Sequence, residues 1–261
     1  MKKLFNYLIV SFFFVILCKS CIASELVTYG SKNIDFFRLN LDNGNRTNIP
    51  CSVTHLQLAF APNGTLYATS RNTDRLYRFT DPSIGALEYL ANIPVNCVGG
   101  DSTVSPNGEG FYFTAGWTSK DLFKYDIDGE FLVSLGEISG ADSDLYGLAF
   151  SPDGILYGTT GTSNGQRRLY TIDLDTLQAT VIGPPYFGLG IDFTGCALDF
   201  APDGTLYTEI NGFLATIDPH NGIANIDYNI YTGKIDSIAI IPEPATLALL
   251  VLGGLLIKRK L

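Results

Sequence analysis

The side chains able to do chemistry in this chain are few and scattered. It holds two histidines, His55 and His220, and one tryptophan, Trp117. No HExxH pair, no GxSxG elbow and no phosphate-cradling glycine loop occurs, so the familiar carriers of zinc-protease, serine-hydrolase and nucleotide chemistry are missing. His220 lies within Asp218-Pro-His-Asn-Gly222, a turn sequence. His55 with Asp101 is the acid–base combination left, and no spacing makes that pair specific. No residue is assigned as catalytic, and the balance leans away from an enzyme. For a bound calcium ion the weak candidates are Asp101, Asp199 and Asp236, whose carboxylates supply the oxygen ligands that ion prefers. Asp199 stands out because Ala59, Thr103, Ala149 and Ala239 hold its place in related segments, although a carboxylate satisfied by neighbouring donors is the plainer reading. Trp117, between Gly116 and Thr118, offers an apolar platform for a sugar ring, against the plainer reading of a ring packed over its own sheet.

The elements that must position these residues come from a repeat. Leu58-Ala-Phe-Ala-Pro-Asn-Gly-Thr-Leu-Tyr67 returns as Ser102-Thr-Val-Ser-Pro-Asn-Gly108, Leu148-Ala-Phe-Ser-Pro-Asp-Gly-Ile-Leu-Tyr157 and Leu198-Asp-Phe-Ala-Pro-Asp-Gly-Thr-Leu-Tyr207. A period in the forties built of short strands points to propeller blades. Pro-Asn/Asp-Gly supplies a fixed φ, a residue tolerant of turns and a glycine for positive φ, so each phrase reads as two strands around a tight turn. The second copy carries an extra residue before Phe111, read as a bulge or a longer turn. A second phrase, Arg75–Phe79, Asp121–Tyr125, Arg168–Ile172 and 212–217, alternates apolar and polar residues as a third strand should. Leu132–Leu135 and Thr180–Ile182 read as outer strands.

The ends set the blade number. Leu26–Tyr29 and Ile34–Leu39 match the second and third strands of a repeat with no first strand before them, while Ile238-Ala239-Ile240 leads into Pro242 as Leu58-Ala59-Phe60 leads into Pro62. Joining them makes a fifth blade from both termini and removes the open sheet edges. The expectation is an all-β, five-bladed propeller of four-stranded antiparallel blades, with six blades or a β-sandwich as alternatives. Ligands then fall on the face where loops entering the inner strands meet the turns between second and third strands. That face gathers His55, Arg71, Asp101, Trp117 and Asp144 as candidate binding residues.

Of the 17 Lys and Arg, six fall in the two ends, while only one of the 26 Asp and Glu does, so the body between them is strongly acidic. With no basic cluster, nucleic acid is excluded as a partner. The ends read as addresses. Lys2 and Lys3 precede an apolar stretch, Leu8–Leu17, and small residues Cys21 and Ala23, which predicts a signal peptide over 1–23 removed by signal peptidase. Acylation at Cys18 or Cys21 is the alternative, but the small residues it needs upstream are missing. Three cysteines then remain in an oxidising compartment. Cys51 and Cys97 both lie in loops entering adjacent inner strands and are the expected disulfide, leaving Cys196 as a buried thiol.

At the other end, Pro242-Glu243-Pro244 is followed by a thirteen-residue apolar run, Ala245–Ile257, and then Lys258-Arg259-Lys260. As a helix that run spans roughly 20 Å, short of a hydrocarbon core of about 30 Å. The basic end stays on the cytoplasmic side, so the body lies outside. These three parts in order resemble the PEP-CTERM sorting signal of Gram-negative bacteria. The resemblance implies a transient transmembrane helix over 242–261, recognition and cleavage by an exosortase, and delivery of a body, residues 24–241, across the inner membrane to the cell surface or extracellular matrix. An ordinary tail anchor is the alternative. The repeat resembles those of NHL and tryptophan-aspartate propellers, which implies architecture and no activity. Two functions stay open: a non-catalytic propeller binding exopolysaccharide, surface glycans or matrix protein, and a secreted hydrolase or lactonase with a calcium ion in its channel.

Overall fold

The structure, a computed structural model, describes residues 26–94, 100–116, 119–161, 166–189 and 197–242. The expected signal peptide, Cys97, Trp117, Cys196, Glu243, Pro244 and the apolar tail lie outside the described residues. The chain enters through three antiparallel strands, β1 (Leu26–Lys32), β2 (Asp35–Leu39) and β3 (Arg46–Ile49). Four sheets follow in order. Blade I is β4 (Leu56–Phe60), β5 (Leu66–Ser70), β6 (Arg75–Asp81) and β7 (Ala86–Asn92); blade II is β8 (Ser102–Val104), β9 (Gly110–Thr114), β10 (Asp121–Asp126) and β11 (Phe131–Glu137). Blade III is β12 (Leu145–Phe150), β13 (Leu156–Thr160), β14 (Leu169–Asp173) and β15 (Gln178–Ile182); blade IV is β16 (Leu198–Phe200), β17 (Leu206–Ile210), β18 (Phe213–Ile217) and β19 (Ala224–Tyr231). The last strand, β20 (Ser237–Pro242), pairs with β1, so blade V runs β20-β1-β2-β3 and is shared by the two ends. The fold is a five-bladed β-propeller.

Turn chemistry accounts for the blade shape. Ala61, Ser151 and Ala201 each donate N–H to the carbonyl four residues on, at 2.8, 2.9 and 2.9 Å. Gly64, Gly154 and Gly204 close those turns at φ of 87°, 90° and 87°, a region in which a side chain would be strained. Asn63 and Asp203 accept the N–H groups of Thr65 and Thr205 at 3.0 and 2.9 Å, so these polar residues serve the turn. In blade II the bond from Ser105 reaches Gly110, five residues on, and the extra residue makes a longer turn. Fourth strands β3, β7 and β19 carry no shared phrase and emerge only in the structure.

The core lies between neighbouring blades. A tyrosine from one blade meets an aromatic ring of the next: Tyr29–Phe60 at 6.0 Å, Tyr67–Phe111 at 6.0 Å, Tyr112–Phe150 at 5.1 Å and Tyr157–Phe200 at 5.3 Å. Such pairs add about 0.5–1.5 kcal/mol each beyond the area they bury. At the seam between blades IV and V, Ile240 stands where Phe60, Phe150 and Phe200 stand elsewhere, so that closure relies on other contacts.

Those contacts are polar and converge on the last strand. Asp199 on β16 accepts the Ile240 N–H at 2.7 Å, and Glu209 on β17 accepts the Ile235 N–H at 3.3 Å. Asp101, just ahead of β8, accepts the Ser237 hydroxyl at 2.8 Å. Arg46 on β3 donates Nη2 to the Lys234 carbonyl at 2.8 Å, and Lys32 on β1 pairs with Asp236. Residues 234–240 are thereby held by side chains from blades II, IV and V.

Candidate ligand face and channel

The inner strands of blades I to IV place Gln57, Asp101, Gly147 and Ala197 at one level, and β20 adds Ser237 there. Asp101 is fully buried at that level. Its Oδ1 accepts the Ser102 N–H at 2.9 Å and the Ser237 hydroxyl, and its Oδ2 accepts the Leu198 N–H at 3.2 Å. Ser237 Oγ in turn accepts the Leu58 N–H at 2.8 Å. Blade II is not a ring neighbour of blade IV or V, so these bonds cross the central channel and tie blades I, II, IV and V together. Burial pushes the Asp101 carboxyl well above the usual carboxylate range, against the pull of its three donors.

Asp199 repeats the arrangement one level down. Its Oδ1 accepts the Phe200 N–H at 2.9 Å and its Oδ2 the Ile240 N–H, and burial pushes it up to about 7. Glu209 accepts the N–H groups of Gly212 and Ile235, and burial pushes it up to about 7 as well. Asp236 pairs with Lys32 and accepts the Asn33 N–H at 2.9 Å. Calcium takes six to eight oxygen ligands with their lone pairs turned inward. Here N–H, O–H and ammonium donors are aimed at Asp101, Asp199 and Asp236, and that donor set does not fit a calcium ion. Among the described residues no group of three or more His, Cys, Asp and Glu side chains gathers in one place.

The loop face is built differently. His55 ends the loop entering β4 with φ of 54°, donating its N–H to the Asn33 carbonyl of blade V at 2.6 Å. Its carbonyl accepts the Arg71 N–H at 3.2 Å, which sets the turn between β5 and β6 beside it. Thr54 Oγ1 lies 3.2 Å from His55 Nδ1 and accepts from Asn72 Nδ2 at 2.8 Å. Burial first, then the Arg71 charge, lowers the His55 pKa, so the imidazole is neutral at neutral pH. His55 and Arg71 thus meet at the seam of blades I and V, within electrostatic reach of Asp236, in a patch of hydrogen-bonding groups that includes the Thr54 hydroxyl beside the imidazole. Asp144 lies apart in blade III, half-buried, its carbonyl accepting the Gly161 N–H at 3.0 Å. Beside it Arg168 stands 3.7 Å from Asp142, and burial followed by Asp142 pushes the Tyr170 hydroxyl up to about 12.

The structure brings His55 and Arg71 together through a backbone hydrogen bond, while the Asp101 carboxylate is turned into the channel toward Leu198 and Ser237. Ser237 and Glu209 carry no motif in the sequence; the available signal for Ser237 is its alignment with Asp101 in the repeat. Cys51 is a half-buried free thiol, and its expected partner Cys97 lies outside the described residues. No helix among the described residues is long and apolar enough to cross a membrane.

These features define a five-bladed propeller with an internally bonded channel and a polar loop face. No family model matches the chain, and no curated protein matches it. Among solved structures, a putative TolB from Agrobacterium tumefaciens is 14% identical with a TM-score of 0.53, over 81% of this chain and 84% of that one. Virginiamycin B lyase from Staphylococcus aureus is 17% identical with a TM-score of 0.48, over 75% of this chain. The chain spans 63% of the length of that lyase. The likeness to the TolB structure concerns the fold alone.

Proposed function

We propose that this protein is an exported, non-catalytic propeller, released from the inner membrane of a Gram-negative bacterium by an exosortase and held at the cell surface or in the extracellular matrix. Its partners there are exopolysaccharide or surface glycans. The observation that carries this reading is where the ring ends: β20 finishes at Pro242, the first residue of Pro242-Glu243-Pro244. The described side-chain bonds to the closing strand are made at residue 240 or earlier and the strand itself ends at Pro242, so a cut beyond Pro242 leaves all five described blades in place. A sorting signal requires that separation of cargo from address. The channel carboxylates Asp101, Asp199 and Glu209 accept protein N–H and O–H donors, which gives them a role in holding the ring.

Mass spectrometry of the host's surface fraction tests delivery. The expected chain begins near Ser24 and ends in or just after the Pro-Glu-Pro segment. Recovery of peptides ending at Leu261 as the main surface form would overturn this reading.

A further inference from the structure

The tyrosines at the blade seams differ in the residue that faces them across the strand pair. Tyr29 pairs with Arg38, Tyr67 with Arg78 and Tyr112 with Lys124, so in blades V, I and II a cation stands beside the tyrosine. In blades III and IV the partners of Tyr157 and Tyr207 are Thr171 and Thr216. Two clefts at corresponding places on the ring show the consequence. Between blades II and III, Lys124 lines a cleft of about 350 Å³ together with Glu109, Asp153 and Tyr112. Between blades IV and V, Asp42, Tyr207, Thr216, Asn225 and Asp227 line one of about 380 Å³, with no Lys or Arg among its described lining residues. Burial, then Asp203 and Asp42, raises the pKa of the Tyr207 hydroxyl, which stays a neutral phenol in the field of these carboxylates. Blade IV also shapes its cleft through its outer strand. Phe213 of β18 pairs with Tyr231 of β19, but Ala215 pairs with Ile226, so residues 227–230 bow out opposite Leu214 alone. Bulges of this kind re-aim side chains. Asp227 and Ile230 of the bow line the cleft, and Asp42 reaches it from the turn between β2 and β3. Asp227 Oδ1 accepts the Asn229 N–H at 2.9 Å and its Nδ2 at 3.1 Å, which fixes that carboxylate.

Two carboxylates lining one cleft without a counter-charge favour a cation. A calcium ion takes six to eight oxygen ligands and has no use for the apolar surface that Leu41, Leu214 and Ile230 add. An amino sugar answers to every part of the lining. Its ammonium pairs with the carboxylates, its C–H face covers the apolar side chains, and its hydroxyls meet the Tyr207 and Thr216 hydroxyls and the Asn225 amide. A cleft of several hundred Å³ with a few convergent polar groups is the usual size and make-up of a small-ligand site. We propose that the cleft between blades IV and V binds a polysaccharide with free amino groups, its ammonium held by Asp42 and Asp227. This rests on the reading of the protein as a glycan binder and narrows the ligand to polymers of unacetylated hexosamine.

Titration calorimetry of the full chain with a glucosamine hexamer, its N-acetylated counterpart and a lysine hexapeptide tests it, at about pH 5.5, where carboxylates are ionised and sugar amines protonated. The glucosamine hexamer should bind saturably, and the N-acetylated one about tenfold more weakly or worse, the change that about 1.4 kcal/mol produces. The variant Asp42→Asn/Asp227→Asn should lose at least the same factor for the glucosamine hexamer while keeping the parent's melting temperature. Glu109→Gln/Asp153→Asn removes as much negative charge from the cleft that holds Lys124, and should bind within about twofold of the parent, which separates a site from the general attraction of an acidic protein for cations. Equal losses in the two variants, equal binding of the two sugar hexamers, or tighter binding of the lysine peptide would overturn the site. If the glucosamine hexamer does not bind but the host's exopolysaccharide does, this site falls and the glycan reading stands; if neither binds, both fall.

Discussion

Replacing Asp101 by alanine is the sharpest probe of the channel. The substitution takes away the acceptor for three buried donors: the Ser102 N–H, the Leu198 N–H and the Ser237 hydroxyl. Each orphaned buried donor costs about 1–3 kcal/mol, and relief from burying a carboxyl offsets part of the sum. A net loss of about 3–5 kcal/mol follows, against a total stability of about 5–15 kcal/mol for a domain. For a body of this size that corresponds to a fall in melting temperature of roughly 6–20 °C. Ser237→Ala removes the donor across the channel and orphans the Leu58 N–H, which should cost about 1–2 kcal/mol. The two changes share a bond, so a double-mutant cycle read by urea denaturation should give a coupling of about 1 kcal/mol or more. A melting temperature for Asp101→Ala within 2 °C of the parent, or strictly additive effects, would show that the cross-channel bonds do not hold the ring.

Two further outcomes follow from the closing strand. Ending the chain at Lys234 removes β20 with its bonds to Asp101 and Asp199, and should abolish cooperative melting of all five blades, whereas ending it at Pro242 should leave the melting curve unchanged. Asp199 and Glu209 are pushed up to about 7 by burial, so the folded protein binds protons more tightly than the unfolded chain between about pH 4 and 7. Stability should then be greater near pH 5 and decline towards pH 8, by up to about 1.4 kcal/mol per pH unit for each group. Urea midpoints should show that slope in the parent and a flatter one in Asp199→Asn/Glu209→Gln; equal slopes would refute the assignment.

Much of this architecture was legible because the same physical need recurs in each blade. A hairpin turn needs a proline, a turn-tolerant Asn or Asp and a glycine with positive φ, and four copies of that phrase announce four blades. The fifth was legible from what it lacked, a first strand before Leu26, and from the spare strand before Pro242. The fourth strands were less visible: β7 and β19 lie at the outer edge, half exposed, where packing does not impose a shared pattern. Site residues were harder still. Chain position puts Asp101 at the mouth of an inner strand but cannot show that its side chain spans the channel to Leu198 and Ser237. The bow at Asp227–Ile230 was invisible because a shift in register depends on the partner strand.

The function proposed for this protein is that of a surface propeller that binds polysaccharide without transforming it. Its most direct test is an equilibrium binding isotherm of the purified protein on the host's own exopolysaccharide, with calcium and with chelator, while the soluble fraction is assayed for released reducing ends. Saturable binding that is indifferent to calcium, with no release of product over hours, is the predicted result. Calcium-dependent release of oligosaccharide, or no binding under either condition, would contradict it.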